Sequence, residues 1–237
     1  MNAPRVKTRD RILAAALRLF NEQRFGSVST AAIAADVGIA EGNLWYHFRS
    51  KRALLDAISA DFAEAIEERL QLQPSDDGDL IEEYVALLAC MQRELHTFRF
   101  LYRDRADYGE SSPIILDHID GWYERVHGQL MLYLGAMIDR GYLDWSRARL
   151  GDLCTNALVI LRFGLEYQRE MDPAAVGDLD SARWTVERHL TLFEDRLDPA
   201  VARRFHRAIQ QADLQAWNSF STYRRPGLIW RSPTSSR

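Results

Sequence analysis

A short stretch near the amino end combines small side chains with hydrogen-bonding ones. Residues 40–43 read Ala-Glu-Gly-Asn, and Trp45 follows two positions later. Short side chains at the start of a helix let its backbone approach the edges of stacked bases, and an Asn amide can form two hydrogen bonds with adenine in the DNA major groove. Such a contact discriminates between bases by roughly 1–3 kcal/mol. We therefore predict that double-stranded DNA is read by Ala40, Glu41, Gly42 and Asn43, with Trp45 alongside.

The residues before and after this stretch predict the two helices that must position it. Ser29 can cap a first helix by accepting a hydrogen bond from a free backbone N–H. Gly38 tolerates the left-handed backbone of a tight turn, so the first helix should end there. Leu44 and Phe48, four residues apart, give the second helix one apolar face. Two helices joined by a short turn with Gly form a helix-turn-helix unit, whose second helix enters the major groove.

The charges of the chain are sorted between its two parts. Residues 1–54 contain nine Lys or Arg and four Asp or Glu, a net charge of +5, although the chain as a whole carries −4. A basic segment on an acidic body favours binding to phosphates. A third helix, predicted over residues 5–22, has apolar residues at helical spacing that would support the other two helices.

The run from Thr8 to Leu55 resembles the DNA-binding domain of TetR-type transcriptional regulators. The resemblance is carried by ILAAALRLFNEQRF and by STAAIAADVGIAEGNLWYHFRSKRALL. It implies phosphate contacts from Thr30, Tyr46, His47 and Lys51. It also implies a homodimer on a pseudo-palindromic operator, a small-molecule effector, and repression as the mode of regulation. Arg24 departs from the family pattern, since a Gly commonly ends the first helix there, and we expect strain at this position.

The remainder of the chain predicts helices only. The expected helices span about 51–72, 79–102, 113–139, 146–170, 180–195 and 199–217. The predicted fold is all-α, with a three-helix helix-turn-helix module at residues 1–50, a larger helical ligand-binding and dimerisation domain at 51–217, and a flexible tail at 218–237. The helix from Lys51 is the only predicted continuous connection between the two domains, so we predict that ligand binding tilts it.

Aromatic and apolar residues of the middle helices predict a pocket with a few polar anchors. Its predicted lining is Phe62, Ile66, Met91, Phe98, Tyr102, Trp122, Tyr123, Val126, His127, Asn156 and Phe163, with Arg103 and Arg162 as further polar candidates. For the dimer, the helices over 146–170 and 180–196 offer two faces. Their residues are Leu153, Ala157, Ile160, Leu161 and Gly164 on one, and Trp184, Leu190 and Phe193 on the other.

Other kinds of function have little support in the sequence. Glu124 and His127 match half of a di-iron bundle motif, but no second Glu-x-x-His occurs, so we expect no metal, and we predict no catalytic site and no cofactor. Cys90 and Cys154 are expected to act as small apolar residues.

An uncharged run such as 128–138 is far shorter than the roughly 20 residues that cross a bilayer, and residues 1–10 have no apolar signal core. We therefore expect a cytoplasmic protein without membrane contact. A helical-bundle enzyme and a protein-binding adaptor remain alternatives.

Overall fold

The structure is a computed structural model that describes residues 7–108, 113–172 and 179–212, with backbone only at 113–120 and 179–180. The predicted tail at 218–237 lies outside these residues. The all-α prediction is confirmed: the described residues contain no β-strand, only one isolated bridge between Leu143 and Leu197. None of the described helices combines the length and the apolar character needed to cross a bilayer.

The helices are α1 (Thr8–Gln23), α2 (Thr30–Val37), α3 (Glu41–His47), α4 (Lys51–Leu70), α5 (Leu80–Thr97), α6 (Arg99–Arg103), α7 (Arg105–Tyr108), α8 (Pro113–Asp139), α9 (Leu150–Met171), α10 (Leu179–Leu190) and α11 (Pro199–Gln211).

The chain divides into two compact units that interleave in sequence. Unit 1 contains the described residues up to Ala65 and the segment Phe98–His118, and unit 2 contains Ile66–Thr97 and the described residues from Ile119 onward. Within the described residues the chain therefore passes from one unit to the other three times. Two of these passages lie inside helices, within α4 and within α8. The helix that starts at Lys51 is not the only continuous connection, contrary to the sequence-based expectation.

The core of unit 1 is built by α1, α2 and α3, to which α4 and α6 add apolar side chains. Ile12, Leu17 and Phe20 of α1 are fully buried, as the spacing of apolar residues predicts. Ile33 of α2 and Leu44 of α3 are fully buried as well, so each short helix is held by one large apolar side chain. Helices of seven and eight residues are not stable alone, and their stability has to come from this packing.

The helix predicted over 79–102 is interrupted. It ends at Thr97, and Phe98 takes a non-helical conformation (φ −106°, ψ 29°) before the short α6 begins. Two residues that are two positions apart on one helix point to nearly opposite sides. Phe98 and Phe100 are nevertheless both buried in unit 1, beside the rings of Phe62 and Phe20 respectively. The break allows both rings to be buried.

Unit 2 packs α5 against α9, α10 and α11 around an apolar core. A buried polar network lies beside this core at the carboxyl end of α4. Arg69 Nε donates to Glu94 Oε2 at 2.9 Å, and its Nη1 donates to Gln129 Oε1 at 2.8 Å. Gln129 returns hydrogen bonds of 2.8 Å from Nε2 to the carbonyls of Arg69 and Leu72. Because loss of one partner of a buried ion pair typically costs about 3–5 kcal/mol, this network fixes the end of α4 to α5 and α8.

A second buried polar pair joins α5 to α10. The hydroxyl of Tyr84 lies 2.8 Å from Nε2 of His189, and both side chains are buried. Burial lowers the pKa of His189 to about 3, so the ring is neutral at physiological pH. The pair therefore supplies a polar contact inside the core without a buried charge.

The faces predicted for dimerisation pack inside unit 2 for the most part. Leu153, Ala157 and Leu161 of α9 are buried, and Gly164 lies so close to Thr185 of α10 that an added Cβ would approach its methyl group to 2.8 Å. Leu190 and Phe193 are buried too. These side chains cannot meet a partner subunit, because they form the contact between helices of one chain.

Candidate nucleic-acid interface

The turn between α2 and α3 has the predicted geometry. Ser29 Oγ accepts a hydrogen bond from the N–H of Ala32 at 3.1 Å, which confirms the predicted cap. Gly38 takes the left-handed conformation (φ 74°, ψ 40°). The N–H groups of Gly38 and Ile39 then donate to the carbonyls of Ala35 and Ala34 at 3.1 and 3.0 Å. These two hydrogen bonds close α2 as in a Schellman motif and set the direction in which α3 leaves the turn.

Helix α3 is held by its apolar side and presents the other residues outward. Leu44 is fully buried, and Phe48, which follows the helix, is 4% exposed. Tyr46 is 84% exposed and Trp45 is 41% exposed, so neither ring is part of the core. The predicted base-reading residues Ala40, Glu41, Gly42 and Asn43 are all exposed, and His47 is half-buried with its ring 5.3 Å from that of Tyr46.

Two of the predicted DNA contacts bind each other. The hydroxyl of Thr30, the first residue of α2, donates to Oε1 of Glu41, the first residue of α3, at 2.8 Å. This hydrogen bond joins the starts of the two helices across the turn. The sequence placed both residues on the same surface but gave no indication of their contact.

The side chain of Lys51, a predicted phosphate contact, makes its contacts within unit 1. Its ammonium donates to the carbonyl oxygen of Phe25 and stands 4.2 Å from the centre of the Phe25 ring. Burial lowers the pKa of Lys51, and the carboxylate of Asp107 opposes that shift. The head group is therefore engaged inside unit 1, where it holds the loop between α1 and α2.

Several other cations of unit 1 are engaged as well. Arg9 stands over the ring of Phe48 at 5.0 Å, Arg11 donates to the carbonyl of Val37 at 2.6 Å, and Arg18 pairs with Asp36. These contacts connect α1 to α2 and to Phe48, the residue that follows α3. Arg49, two residues after the end of α3, is exposed and makes no ion pair among the described residues. Arg49 contributes to the net charge of +5 over residues 1–54, and its position shortly after the second predicted helix is the sequence signal that marks it as a candidate phosphate contact.

The carboxyl end of α1 is capped by residues about 80 positions further along the chain. Arg103 donates to the carbonyls of Phe20 and Asn21 at 2.9 and 2.8 Å, and Arg99 donates to the Asn21 carbonyl as well. The Asn21 side chain accepts a 3.0 Å hydrogen bond from the N–H of Phe100. Cations at a helix carboxyl end satisfy free carbonyls and oppose the helix dipole. Arg103, a candidate ligand anchor from the sequence, thus has a structural contact.

The residue after α1 confirms the expected strain. Arg24 has φ 71° and ψ 148°, and it is the only residue other than Gly with a positive φ among the described residues. This conformation is populated almost entirely by Gly and costs of order 1–3 kcal/mol for other residues. The next residue, Phe25, has both backbone polar groups hydrogen-bonded. Its N–H donates to Asp104 at 2.7 Å, and its carbonyl accepts from Lys51. Burial would raise the pKa of Asp104, but hydrogen bonds from Arg103 and Phe25 outweigh it and hold the pKa below its ordinary value.

The residues predicted to line a ligand pocket are divided between the units. In unit 1, the ring of Phe62 lies 5.3 Å from that of Phe98 and 5.4 Å from that of Tyr102. The ring of Phe62 thus contacts two other members of the predicted lining.

In unit 2 the predicted lining falls into buried and exposed sets. Ile66, Met91 and Trp122 are buried, and the Trp122 indole donates to Glu67 at 3.2 Å. Val126 and His127 are half-buried, with His127 Nε2 3.2 Å from the carbonyl of Gly151. The exposed set is Tyr123, Asn156 and Phe163. Among the described residues, no three His, Cys, Asp or Glu side chains converge as metal ligands would.

Comparison with known proteins matches two family models to the chain. A model described as "Bacterial regulatory proteins, tetR family" covers residues 12–58, and one described as "Bacterial transcriptional repressor" covers residues 61–205, more than half of the chain.

Individual relatives match over shorter stretches. The probable HTH-type transcriptional regulator YttP of Bacillus subtilis is 24% identical over 106 residues, which are 42% of this chain and 51% of YttP. The HTH-type transcriptional regulator UidR of Escherichia coli is 49% identical over 51 residues, which are 22% of this chain and 26% of UidR. The chain thus spans about half the length, or less, of these curated relatives.

Solved structures extend the likeness to the whole fold. A TetR-family transcriptional regulator from Marinobacter aquaeolei aligns with a TM-score of 0.72 at 23% identity, over 86% of this chain and 98% of that one. A protein described as a gamma-butyrolactone receptor aligns with a TM-score of 0.62 at 17% identity, over 88% of this chain and 96% of the receptor. At these identities the likeness shows the fold.

The strain at Arg24 predicts that Arg24→Gly stabilises the protein relative to Arg24→Ala. Both substitutions remove the same side chain, but only Gly relieves the backbone. A relief of about 1–3 kcal/mol, less the roughly 0.5–1 kcal/mol of extra chain entropy that Gly loses on folding, leaves about 1 kcal/mol. In a chain of this size that corresponds to a difference of roughly 2–4 °C in Tm, measured by calorimetry. An Arg24→Gly protein no more stable than Arg24→Ala would contradict the assigned conformation.

Proposed function

The chain belongs to the TetR family of bacterial transcriptional regulators, and from that premise we propose that it is a dimeric repressor whose affinity for its operator falls when a small, largely apolar molecule binds. The observation that carries the proposal is the exposure of α3. Its polar and aromatic residues face outward on a helix whose two apolar anchors are almost fully buried. A core-facing role for these residues would have buried Tyr46 and Trp45.

Base reading and phosphate binding fall to different residues of this surface. Asn43, in the first turn of α3, has the amide that pairs with adenine in the major groove. Tyr46 and His47 lie further along the helix, where hydrogen bonds to phosphate oxygens would fix the register without reading sequence. Replacing Asn43 should therefore relax the choice at one or two base positions, whereas replacing Tyr46 should weaken binding to all sequences alike.

The proposed dimer uses an exposed apolar stripe on α9. The α9 stripe consists of Val159, Phe163, Tyr167 and Met171, spaced four residues apart and 52%, 56%, 55% and 69% exposed. The ring of Tyr167 stacks on Trp184 of α10, with centroids 6.1 Å apart, which extends the apolar surface. A contiguous apolar patch of this kind marks a binding surface, and a symmetric partner can bury the same patch on both chains.

The proposed effector is a small, largely apolar molecule. The aromatic group Phe62, Phe98 and Tyr102 in unit 1 offers apolar faces with one hydroxyl. A similar solved structure is described as a gamma-butyrolactone receptor, a name that denotes a small ligand. These observations support a small organic effector and leave its identity open to a direct screen.

The proposed coupling runs along α4. Its first fifteen residues belong to unit 1 and its last turn to unit 2, where the Arg69 network holds it. A ligand that shifts this helix changes the separation of the two α3 helices in the dimer. The two must lie about 34–36 Å apart, or a multiple of that distance, to enter successive major grooves together. A displacement of a few ångströms therefore weakens one set of contacts.

Phosphate binding predicts a change in the salt dependence of DNA affinity for Arg49→Ala. Removal of one cation from a phosphate reduces the slope of log K against log salt by about 0.9. Lys51→Ala is the matched control. It also removes one positive charge, only two residues away in sequence, but the Lys51 head group donates to the carbonyl of Phe25. We expect an unchanged slope and a lower Tm for Lys51→Ala. An unchanged slope for Arg49→Ala, or a reduced one for Lys51→Ala, would contradict the assignment of phosphate contacts.

The α9 stripe predicts that Phe163→Glu gives a monomer. A carboxylate at the centre of a buried apolar interface has no partner and opposes association. Sedimentation velocity at micromolar concentration should show half the mass of the wild type, with weakened operator binding. Leu132→Glu is the control, because Leu132 is exposed to a similar extent (52%) but lies on α8. A Phe163→Glu protein that stays dimeric would exclude this interface.

Effector release predicts reciprocal coupling. A compound that weakens operator binding by some factor must itself bind more weakly, by the same factor, to the operator complex. The experiment selects compounds that release the protein from DNA, and then measures their affinity by calorimetry with and without saturating operator. Equal affinities in the two titrations would exclude the coupled scheme and point to competition at the DNA surface.

A further inference from the structure

The only acidic residue of α3 stands where that helix begins. Within Glu41–His47 no other residue has a carboxylate. Glu41 is exposed, and its Oε1 accepts the hydroxyl proton of Thr30 at 2.8 Å. Among the described residues Glu41 makes no ion pair, whereas the other acid of the helix-turn-helix, Asp36, is paired with Arg18.

An unpaired carboxylate is unfavourable on a surface that approaches DNA. The duplex carries one negative charge for about every 1.7 Å of its axis, so a carboxylate near it is repelled. The unit compensates this repulsion with a net charge of +5 over residues 1–54, but no cation is placed on Glu41 itself among the residues that the structure describes. The carboxylate therefore favours only a DNA site that offers it a hydrogen-bond donor.

Base edges in the major groove differ in the donors they offer. Cytosine presents its N4 amino group and adenine its N6 amino group, whereas guanine and thymine present only acceptors apart from the thymine methyl group. A carboxylate has no proton to donate, so it cannot use the N7 acceptor beside the adenine amino group, for which the Asn43 amide is suited. Cytosine is the base whose edge offers a donor alone.

We propose that Glu41 selects cytosine in the operator, accepting a hydrogen bond from its N4 amino group, and that Thr30 is a positioning residue that holds the carboxylate for this contact. The proposal rests on the proposed operator-binding function and specifies one base of the operator. The hydroxyl of Thr30 occupies Oε1 and leaves Oε2 for the base. Since a hydroxyl has a single proton, Thr30 in this arrangement does not also donate to a phosphate.

Helix α3 has no side-chain cap at its start. Ala40 precedes the helix and has no side chain that could accept a hydrogen bond from its first turn. A carboxylate at the first helical position is favourable with the helix dipole. A role in helix stability alone would move the Tm of Glu41 variants and leave base preference unchanged, which is the distinction that the experiment uses.

The first experiment selects operators from a randomised duplex pool with the full chain. The proteins are wild type, Glu41→Ala, Thr30→Val, Thr30→Ser and Asn43→Ala. Wild type should select cytosine at one position in each half-site, and Glu41→Ala should lose that preference while keeping the adenine preference that Asn43→Ala removes. Thr30→Ser keeps the hydroxyl and should keep the preference for cytosine, whereas Thr30→Val, of similar shape without the hydroxyl, should weaken it.

The second experiment removes the amino group from the base. The selected cytosine is replaced by 2-pyrimidinone, which lacks the exocyclic amine, and dissociation constants are measured for both duplexes. The wild type should lose about tenfold or more in affinity. Glu41→Ala should bind the two duplexes with the same affinity. Equal losses for wild type and Glu41→Ala, or selection of adenine, guanine or thymine at the position that Glu41→Ala relaxes, would overturn the proposal.

The proposed operator-binding function and the assignment of Glu41 to cytosine are tested separately by these results. If wild type selects no sequence at all from the pool, the proposed operator-binding function fails. If wild type selects a defined operator whose base preferences are the same for Glu41→Ala, the function stands and the assignment of Glu41 is wrong. Thermal melting of each variant shows whether a weakened preference comes with a loss of folding.

Discussion

The carboxyl end of α1 is the place on which the organisation of unit 1 depends. Arg99 and Arg103 cap the last carbonyls of this helix, and the segment that supplies them lies about 80 residues further along the chain. The same segment holds Phe25 through Asp104, beside the strained Arg24. A non-Gly residue keeps such a conformation only when its surroundings over-determine it. The helix-turn-helix is therefore completed by α6 and is not a free-standing set of three helices, and any change in α6 acts on the helix that supports α2 and α3.

In and around α3, buried and exposed side chains have different roles. Leu44 and Phe48 fix the helix, and the polar residues outside this apolar side are exposed, where the proposed DNA contacts would form. Much of the positive charge of unit 1 holds its helices together, as the contacts of Arg11, Arg18 and Lys51 show. The number of basic residues in the segment is thus a poor measure of the number of phosphate contacts. The proposed specificity depends on two side chains that differ in hydrogen bonding, since the Asn43 amide can both donate and accept and the Glu41 carboxylate can only accept.

Local signals in the sequence predicted local structure well. The cap at Ser29 and the left-handed Gly38 follow from the residue and its immediate neighbours, whereas the strain at Arg24 follows from the resemblance to a family that commonly has Gly there. All three are confirmed. Contacts between distant segments could not be predicted, because nothing at Arg103 identifies α1 as its partner. The faces of α9 illustrate a third case. That helix is apolar on two sides, so periodicity could not say which side packs on α10 and which carries the α9 stripe. Only the close approach of Gly164 to Thr185 decides it.

The central claim, that two α3 helices of a dimer enter successive major grooves of one operator, is tested most directly by methylation protection on the selected operator. Dimethyl sulphate attacks guanine N7, which lies in the major groove. Two protected clusters are expected, centred about 10–10.5 base pairs apart or a multiple of that spacing, on one face of the duplex. With Phe163→Glu, only weak protection of single half-sites is expected. Protection confined to the minor groove, or one continuous region without helical spacing, would show that the two helices do not bind in this way.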